Sequence, residues 1–140
     1  MRILAVDPGD KRIGIAVSDP TKTIANPLLI LKHIKRSVDA GKITQIAQKW
    51  NVEKIVIGQA LDSEGNLTPQ ARKSKRLAEE IRKLIDVPIV MWDESSSTME
   101  ARKVKAVLRP KNRKHDTHLD DIAATVILQS YMDSIVTNKS

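Results

Sequence analysis

Acidic side chains stand at three separated places in this sequence where negative charge is costly to hold. Asp7 closes the apolar run Ile3, Leu4, Ala5, Val6 and is followed by Pro8 and Gly9. Asp93 and Glu94 follow the apolar segment PIVMW, and Asp120 with Asp121 lies near the start of HLDDIAATVILQSYMDSI. Each has a plain structural explanation. An Asp before Pro-Gly can start a turn by accepting backbone N–H bonds; Asp93 or Glu94 can serve as a helix-entry residue; Asp120 and Asp121 are favoured beside a helix N-terminus. The alternative is that the acids converge. Projected on a helix, Asp120 shares its side with Ala123, Ala124, Ile127 and Tyr131, whereas Asp121 lines up with Thr125 and Gln129 and is expected toward solvent. A carboxylate on or beside an apolar face needs a partner, because burying it alone is expensive. A divalent cation shared by Asp7, Glu94 and Asp120, with Asp93 and Asp121 in support, would be such a partner.

The chemistry of that cluster follows from what the chain lacks. There is no cysteine, so thiolate nucleophiles, disulfides and cysteine-ligated zinc are excluded together. Oxygen ligands without a histidine cluster suit Mg2+ or Mn2+. Two such ions about 4 Å apart can activate water and stabilise the departing oxygen in phosphodiester hydrolysis. A polyanionic substrate agrees with the formal net charge of +7, although a basic surface also serves general solubility. Lys11 and Arg12 follow Asp7 in the turn, and Arg109, Lys111, Arg113 and Lys114 precede the Asp120 helix; they can hold successive phosphates or form a solvated loop. His33, His115 and His118 show no H-E-x-x-H arrangement and read as surface residues, with His115 or His118 a candidate to assist a leaving group. The loop GQALDSEG, 58–65, lacks the P-loop pattern but can pass over a substrate backbone.

The elements that must position these residues can be read from periodicity and punctuation. Ile3 to Asp7 and Ile13 to Ser18 read as antiparallel strands around a short turn. A third extended piece is expected within 23–31, where Pro27 argues for an edge. Ser37 to Trp50 has helical spacing of Ile43, Ile46, Ala47 and Trp50, and residues 53–58 read as a buried strand. Thr68 and Pro69 open a helix reaching Leu84, and residues 88–92 form a strand. Ser97 with Glu100 has capping-box spacing and predicts a helix over 98–108 that Pro110 stops. A last helix is expected over 118–134, capped by Asp116 or Thr117, with 133–140 frayed. The sum is one α/β domain, 1–140, with a mixed five-stranded sheet and helices on both faces. Its core must be built from Ile, Leu, Val and Ala, since Phe is absent and there are two Trp and one Tyr. No apolar run approaches the roughly 20 residues that span a bilayer, and no leader precedes the first strand, so a cytoplasmic protein is expected.

Four segments, AVDPGDKRIGIAVSD, IVIGQALDSEG, DESSSTMEAR and LDDIAATVILQSYM, resemble the YqgF/RuvX family of pre-16S rRNA nucleases, also called Holliday junction resolvase-like proteins. The resemblance covers nearly the whole chain and implies an RNase H-like fold. It places the family's acids on Asp7, on Asp93 and Glu94, and on Asp120, and implies metal-dependent trimming of the 5′ end of the small-subunit rRNA precursor, with ribosomal precursor particles as partners. Two departures stand out. Gln59 and Ala60 occupy positions where the family has a nearby proline, and Ser95 stands where it has arginine after the acidic pair; Arg102 or the basic loop could compensate. Two other readings remain open. A resolvase acting on DNA junctions would need a dimer, whereas an rRNA nuclease could act as a monomer or weak homodimer. A noncatalytic RNA-binding assembly factor would keep the fold and the basic face. An actin-like ATPase is disfavoured, because the chain is too short for the second lobe of a nucleotide cleft.

Overall fold

The computed structural model describes residues 1–94 and 119–139, with the side chains of 119–121 and 137–139 outside that description. Its elements are β1 (Arg2–Pro8), β2 (Arg12–Ser18), β3 (Ala25–Lys32), α1 (Arg36–Lys49), β4 (Val52–Gln59), α2 (Pro69–Leu84), β5 (Ile89–Asp93) and, named here α3, the helix Leu119–Lys139. The five strands form one sheet in the order β3-β2-β1-β4-β5. β2 is antiparallel to both β1 and β3, while β1–β4 and β4–β5 are parallel. This is the mixed sheet, and the RNase H-like arrangement, that the sequence led us to expect.

Strand alternation divides the interior into two cores. Leu4 and Val6 of β1 pack with Ile55 and Ile57 of β4 on the face covered by α1 and α2, through Ile43, Ala47, Leu77 and Ile81. Ile3 and Ala5 point the other way, where with Ala16, Ala25 and Val56 they meet Ala124, Ile127, Leu128 and Tyr131 of α3. The small side chains at 5, 16 and 25 let the helix lie close to the sheet. Because β1 and β4 are covered on both sides, their buried stretches read as unbroken apolar runs.

The local signals worked where they had a physical partner. Thr68 caps α2 by accepting the Ala71 N–H at 3.1 Å, with Pro69 at the first helical position. Pro27 lies in the edge strand, beside the register shift between Ile15 and Ala16. The last helix differs from expectation at its far end: it continues to Lys139, five residues beyond 134, since no glycine or proline stops it. The expected 98–108 helix, the basic residues Arg109, Lys111, Arg113 and Lys114, Ser95, His115 and His118 all lie outside the described residues. Among the described residues, no helix is long and apolar enough to cross a membrane.

Candidate active site

Asp7, on β1, and Glu94, just past the end of β5, stand at one end of the sheet on either side of β4. Asp7 follows Val6, which pairs with Ile57, so one step further along the two strands come Asp7 and Gly58. By alternation Asp7 belongs to the face of Ile3 and Ala5, which α3 covers. It is half-buried and engaged with its surroundings.

Gly58 creates the room that Glu94 uses. A Cβ built at position 58 would lie 2.8 Å from Glu94 Oε1 and 2.6 Å from Ile127 Cδ1. Any side chain there would displace both. The carboxylate therefore rests over the bare backbone of β4, against α3, on the face of the sheet to which Asp7 belongs. Glu94 Oε1 is buried and has no hydrogen-bond partner among the described residues.

The two adjacent acids at the end of β5 part company. Asp93 pairs in register with Gln59, and its Oδ1 accepts the Leu61 N–H at 3.5 Å, so it reaches toward the loop that leaves β4. Trp92, one residue earlier, packs on the α3 side with its ring edge-on to Tyr131, centroids 5.4 Å apart. Asp93 thus holds a loop, and Glu94 is the one placed over Gly58.

The direction of α3 decides where its acids begin. Ile127 meets Gly58 near the end of β4, whereas Tyr131 Oη accepts a hydrogen bond from Lys54 Nζ at 2.8 Å near the start of that strand. The helix therefore runs antiparallel to β4, and its first residues stand at the end of the sheet that carries Asp7 and Glu94. Asp120 precedes Ile127 by seven residues, two helical turns. The side chains of Asp120 and Asp121 lie outside the described residues. Thr125 and Gln129, which share a side of the helix with Asp121 by projection, are turned toward the protein. Thr125 is 2% exposed. Gln129 accepts the Ala25 N–H at 2.9 Å and donates to the Thr23 carbonyl at 3.0 Å, because α3 is wrapped by the starts of β3 and the preceding loop.

Lys11 and Arg12 are exposed at the β1–β2 turn. Gly9 closes that turn, its N–H donating to the Arg12 carbonyl at 2.9 Å, and a Cβ at Gly9 would come within 2.5 Å of the same oxygen. The sequence reading passed over Gln70, which joins the end of β1, next to Asp7, to the chain leaving β4. Its Nε2 donates to the Pro8 carbonyl at 3.2 Å, and its Oε1 accepts the Ala60 N–H at 2.9 Å. A glutamine in the first turn of a helix carries no sequence signal for that task. Gly58 was recognised only as the start of a loop, although a glycine breaking an apolar strand beside an acidic pair points to a close approach.

Among the described residues no group of three or more His, Asp or Glu that could hold a metal is found. The pair that is described fits a hard cation nonetheless. A buried carboxylate oxygen with no partner among the described residues, in a cradle that a single methyl would fill, is an arrangement that a cation would relieve.

Comparison with known proteins points to one family. The family model described as RuvX, Holliday junction resolvase, matches residues 1–134. A protein of Thermoanaerobacter pseudethanolicus named "Putative pre-16S rRNA nuclease" is 39% identical over 137 residues, covering 96% of this chain and 97% of its own. One of the same name from Roseiflexus sp. is 35% identical over 133 residues, covering 95% and 94%. Among solved structures, Thermus thermophilus RuvC in complex with a Holliday junction superposes with a TM-score of 0.66 at 15% identity, covering 98% of this chain and 97% of that one. The Fowlpox virus resolvase bound to junction DNA gives 0.58 at 17% identity, with 97% and 99% covered. These two likenesses establish the fold.

Proposed function

This chain belongs to the RuvX family, and on that ground we propose that it is a divalent-metal-dependent nuclease that hydrolyses phosphodiester bonds in structured RNA, acting on the 5′ end of pre-16S rRNA. The observation that carries the reading is Glu94 Oε1, buried over Gly58 with no partner among the described residues, on the face and at the sheet end that also hold Asp7. Such a group has no structural use there, and a carboxylate awaiting a cation has a chemical one.

In this reading Asp7, Glu94 and Asp120 hold Mg2+ or Mn2+. The antiparallel run of α3 against β4 supports the inclusion of Asp120, since it starts the helix at the acids' end of the sheet. When bound, the ions supply positive charge to the phosphate oxygens and acidity to an attacking water. The protein's own contribution is rigidity. Gln70 ties the ends of β1 and β4, Asp93 holds the loop after β4, and Trp92 and Tyr131 pack beneath the site. Lys11 and Arg12, with Arg109, Lys111, Arg113 and Lys114, neutralise flanking phosphates. RNA is favoured over a DNA junction because the relatives sharing 35 to 39% identity are named for pre-16S rRNA.

The test is incubation of the purified protein with precursor rRNA and with a four-way DNA junction in Mg2+, Mn2+ or chelator, beside Asp7→Asn and Glu94→Gln. Metal-dependent RNA cleavage that both variants lose is expected. Junction cleavage by a dimer, with RNA untouched, would instead favour a resolvase; cleavage that persists in both variants would reject this site.

A further inference from the structure

On the opposite face of the sheet from α3, a cavity of about 570 Å3 opens between the β1–β2 turn, the end of β3, the start of α1 and α2. Its volume lies within the range of small-ligand sites, about 300–1,000 Å3. Ile13 and Leu77, both buried, give it an apolar floor. Around them stand His33, Lys35, Arg36 and Lys73, against Asp10 and Glu80.

Although it lies on the other face, the cavity shares an end of the sheet with the acids. β1 and β3 are each antiparallel to β2, so they run parallel to one another, and the end of β3 lies level with Asp7. Pro8, Gly9 and Asp10, which follow Asp7 directly, form the cavity's near rim. The far rim is tied to the same turn, since the His33 N–H donates to the Lys11 carbonyl at 2.9 Å.

The lining is built for an anion in spite of its three acids. Asp39 is 2% exposed, and its carboxylate is already engaged: Oδ2 accepts from His33 Nδ1, and Oδ1 accepts the Ile34 N–H at 3.1 Å. That bond orients the imidazole and leaves Nε2 as its remaining polar atom. Asp10 and Lys73 are paired only loosely, at 3.3 Å, with side chains 82% and 65% exposed, so an incoming phosphate can compete for the lysine. Lys35 and Arg36 have no such partner among the ion pairs of the described residues.

We propose that this cavity binds one nucleotide of the substrate strand beside the phosphodiester held at the acids, its phosphate against Arg36, Lys73 and His33 and its ribose and base over Ile13 and Leu77. The proposal rests on the nucleic-acid reading above and deepens it. The nucleotide has two possible sources, an internal position of the strand or a 5′-phosphorylated end, and both present the same chemistry to the cavity.

The test is binding of a short labelled single-stranded RNA, with a 5′-phosphate or a 5′-hydroxyl, by fluorescence anisotropy in chelator across a salt series. Arg36→Gln and Lys73→Gln, both at exposed positions, should each weaken binding about 3- to 10-fold. Each should also flatten the dependence of log Kd on log salt by about 0.7, the single-strand value for one lost phosphate contact. Arg82→Gln removes an equal charge from the far end of α2, outside the cavity, and should change neither quantity. A preference for the 5′-phosphate that His33→Gln abolishes identifies a strand end. Equal binding of both RNAs, weakened alike by the variants, identifies an internal nucleotide. Unchanged affinity and slope in Arg36→Gln and Lys73→Gln, or the same loss in Arg82→Gln, would overturn the proposal. Chelator keeps cleavage out of the measurement, so a failure here leaves the nuclease assignment standing, and Asp7→Asn that still cleaves would remove that assignment while leaving any cavity binding intact.

Discussion

Glu94 occupies space that only a glycine at position 58 leaves open: the 2.8 Å between Glu94 Oε1 and a Cβ built there is shorter than real Cβ atoms tolerate. The same Cβ would strike Ile127, so one position governs both a carboxylate and the seating of α3.

The two clashes can be separated. Gly58→Ala should cost about 1–3 kcal/mol of stability through overpacking and lower the affinity for Mg2+ or Mn2+. Adding Ile127→Val shortens the side chain on the helix side and should recover part of the melting temperature without recovering metal affinity. Calorimetric titration with Mn2+ and thermal melts of both proteins provide the measurement. Full metal affinity in Gly58→Ala would show that Glu94 does not need its present position.

Gln70→Ala should loosen the acids without touching them. Its amide satisfies the Pro8 carbonyl and the Ala60 N–H, and removing both bonds should cost about 1–3 kcal/mol. Cleavage should fall by more than the loss of folded protein explains. Denaturant melts compared with initial rates distinguish the two, and a variant with unaltered rate would make Gln70 a stabilising residue alone.

The acid limb of stability should depend on Asp19. Its carboxylate accepts the Ile24 N–H at 2.9 Å, the Thr21 hydroxyl and the Thr23 N–H at 2.8 Å. Led by the Ile24 bond, these hold its pKa far below the usual carboxylate range. Between about pH 4 and pH 2 the unfolded chain takes up a proton at this residue that the folded chain still refuses. The contribution is therefore complete above the unfolded value and is lost as pH falls. Asp19→Asn should flatten the fall in stability over that window, as measured by denaturant midpoints at successive pH values. A parallel curve would assign the acid limb to other carboxylates.

Leu128→Ala should be among the costlier core changes, about 2–5 kcal/mol. The side chain is fully buried between α3 and the sheet. Chemical denaturation should show a lower midpoint with an unchanged slope.

The strands and first two helices were legible because each signal had a local cause. Thr68-Pro69 capped its helix, Pro27 marked an edge, and short apolar runs became strands. Asp7 and Glu94 were legible as candidates because an acid after an apolar strand is conspicuous. Their separate surroundings were not. Asp93 and Glu94 are adjacent in the chain, and only the β4–β5 register shows that one reaches toward Leu61 while the other rests on Gly58. Gln70 and the His33–Asp39 pair depend on contacts between residues whose types carry no pattern. Helical projection sets Thr125 apart from the apolar side of the last helix; α3 is enclosed more widely than that, and its threonine is inside.

The clamp of Gln129 on Ala25 spans 104 residues of sequence. Translation delivers the chain from its first residue onward, so the β3 end of that clamp emerges long before the helix that completes it. A nascent polypeptide can pair β1 with β2 at once, yet one face of its sheet stays bare until α3 clears the ribosomal tunnel. Competence would then wait for α3, and a transcript broken within it would yield an inert, adhesive fragment in place of a weakly active enzyme.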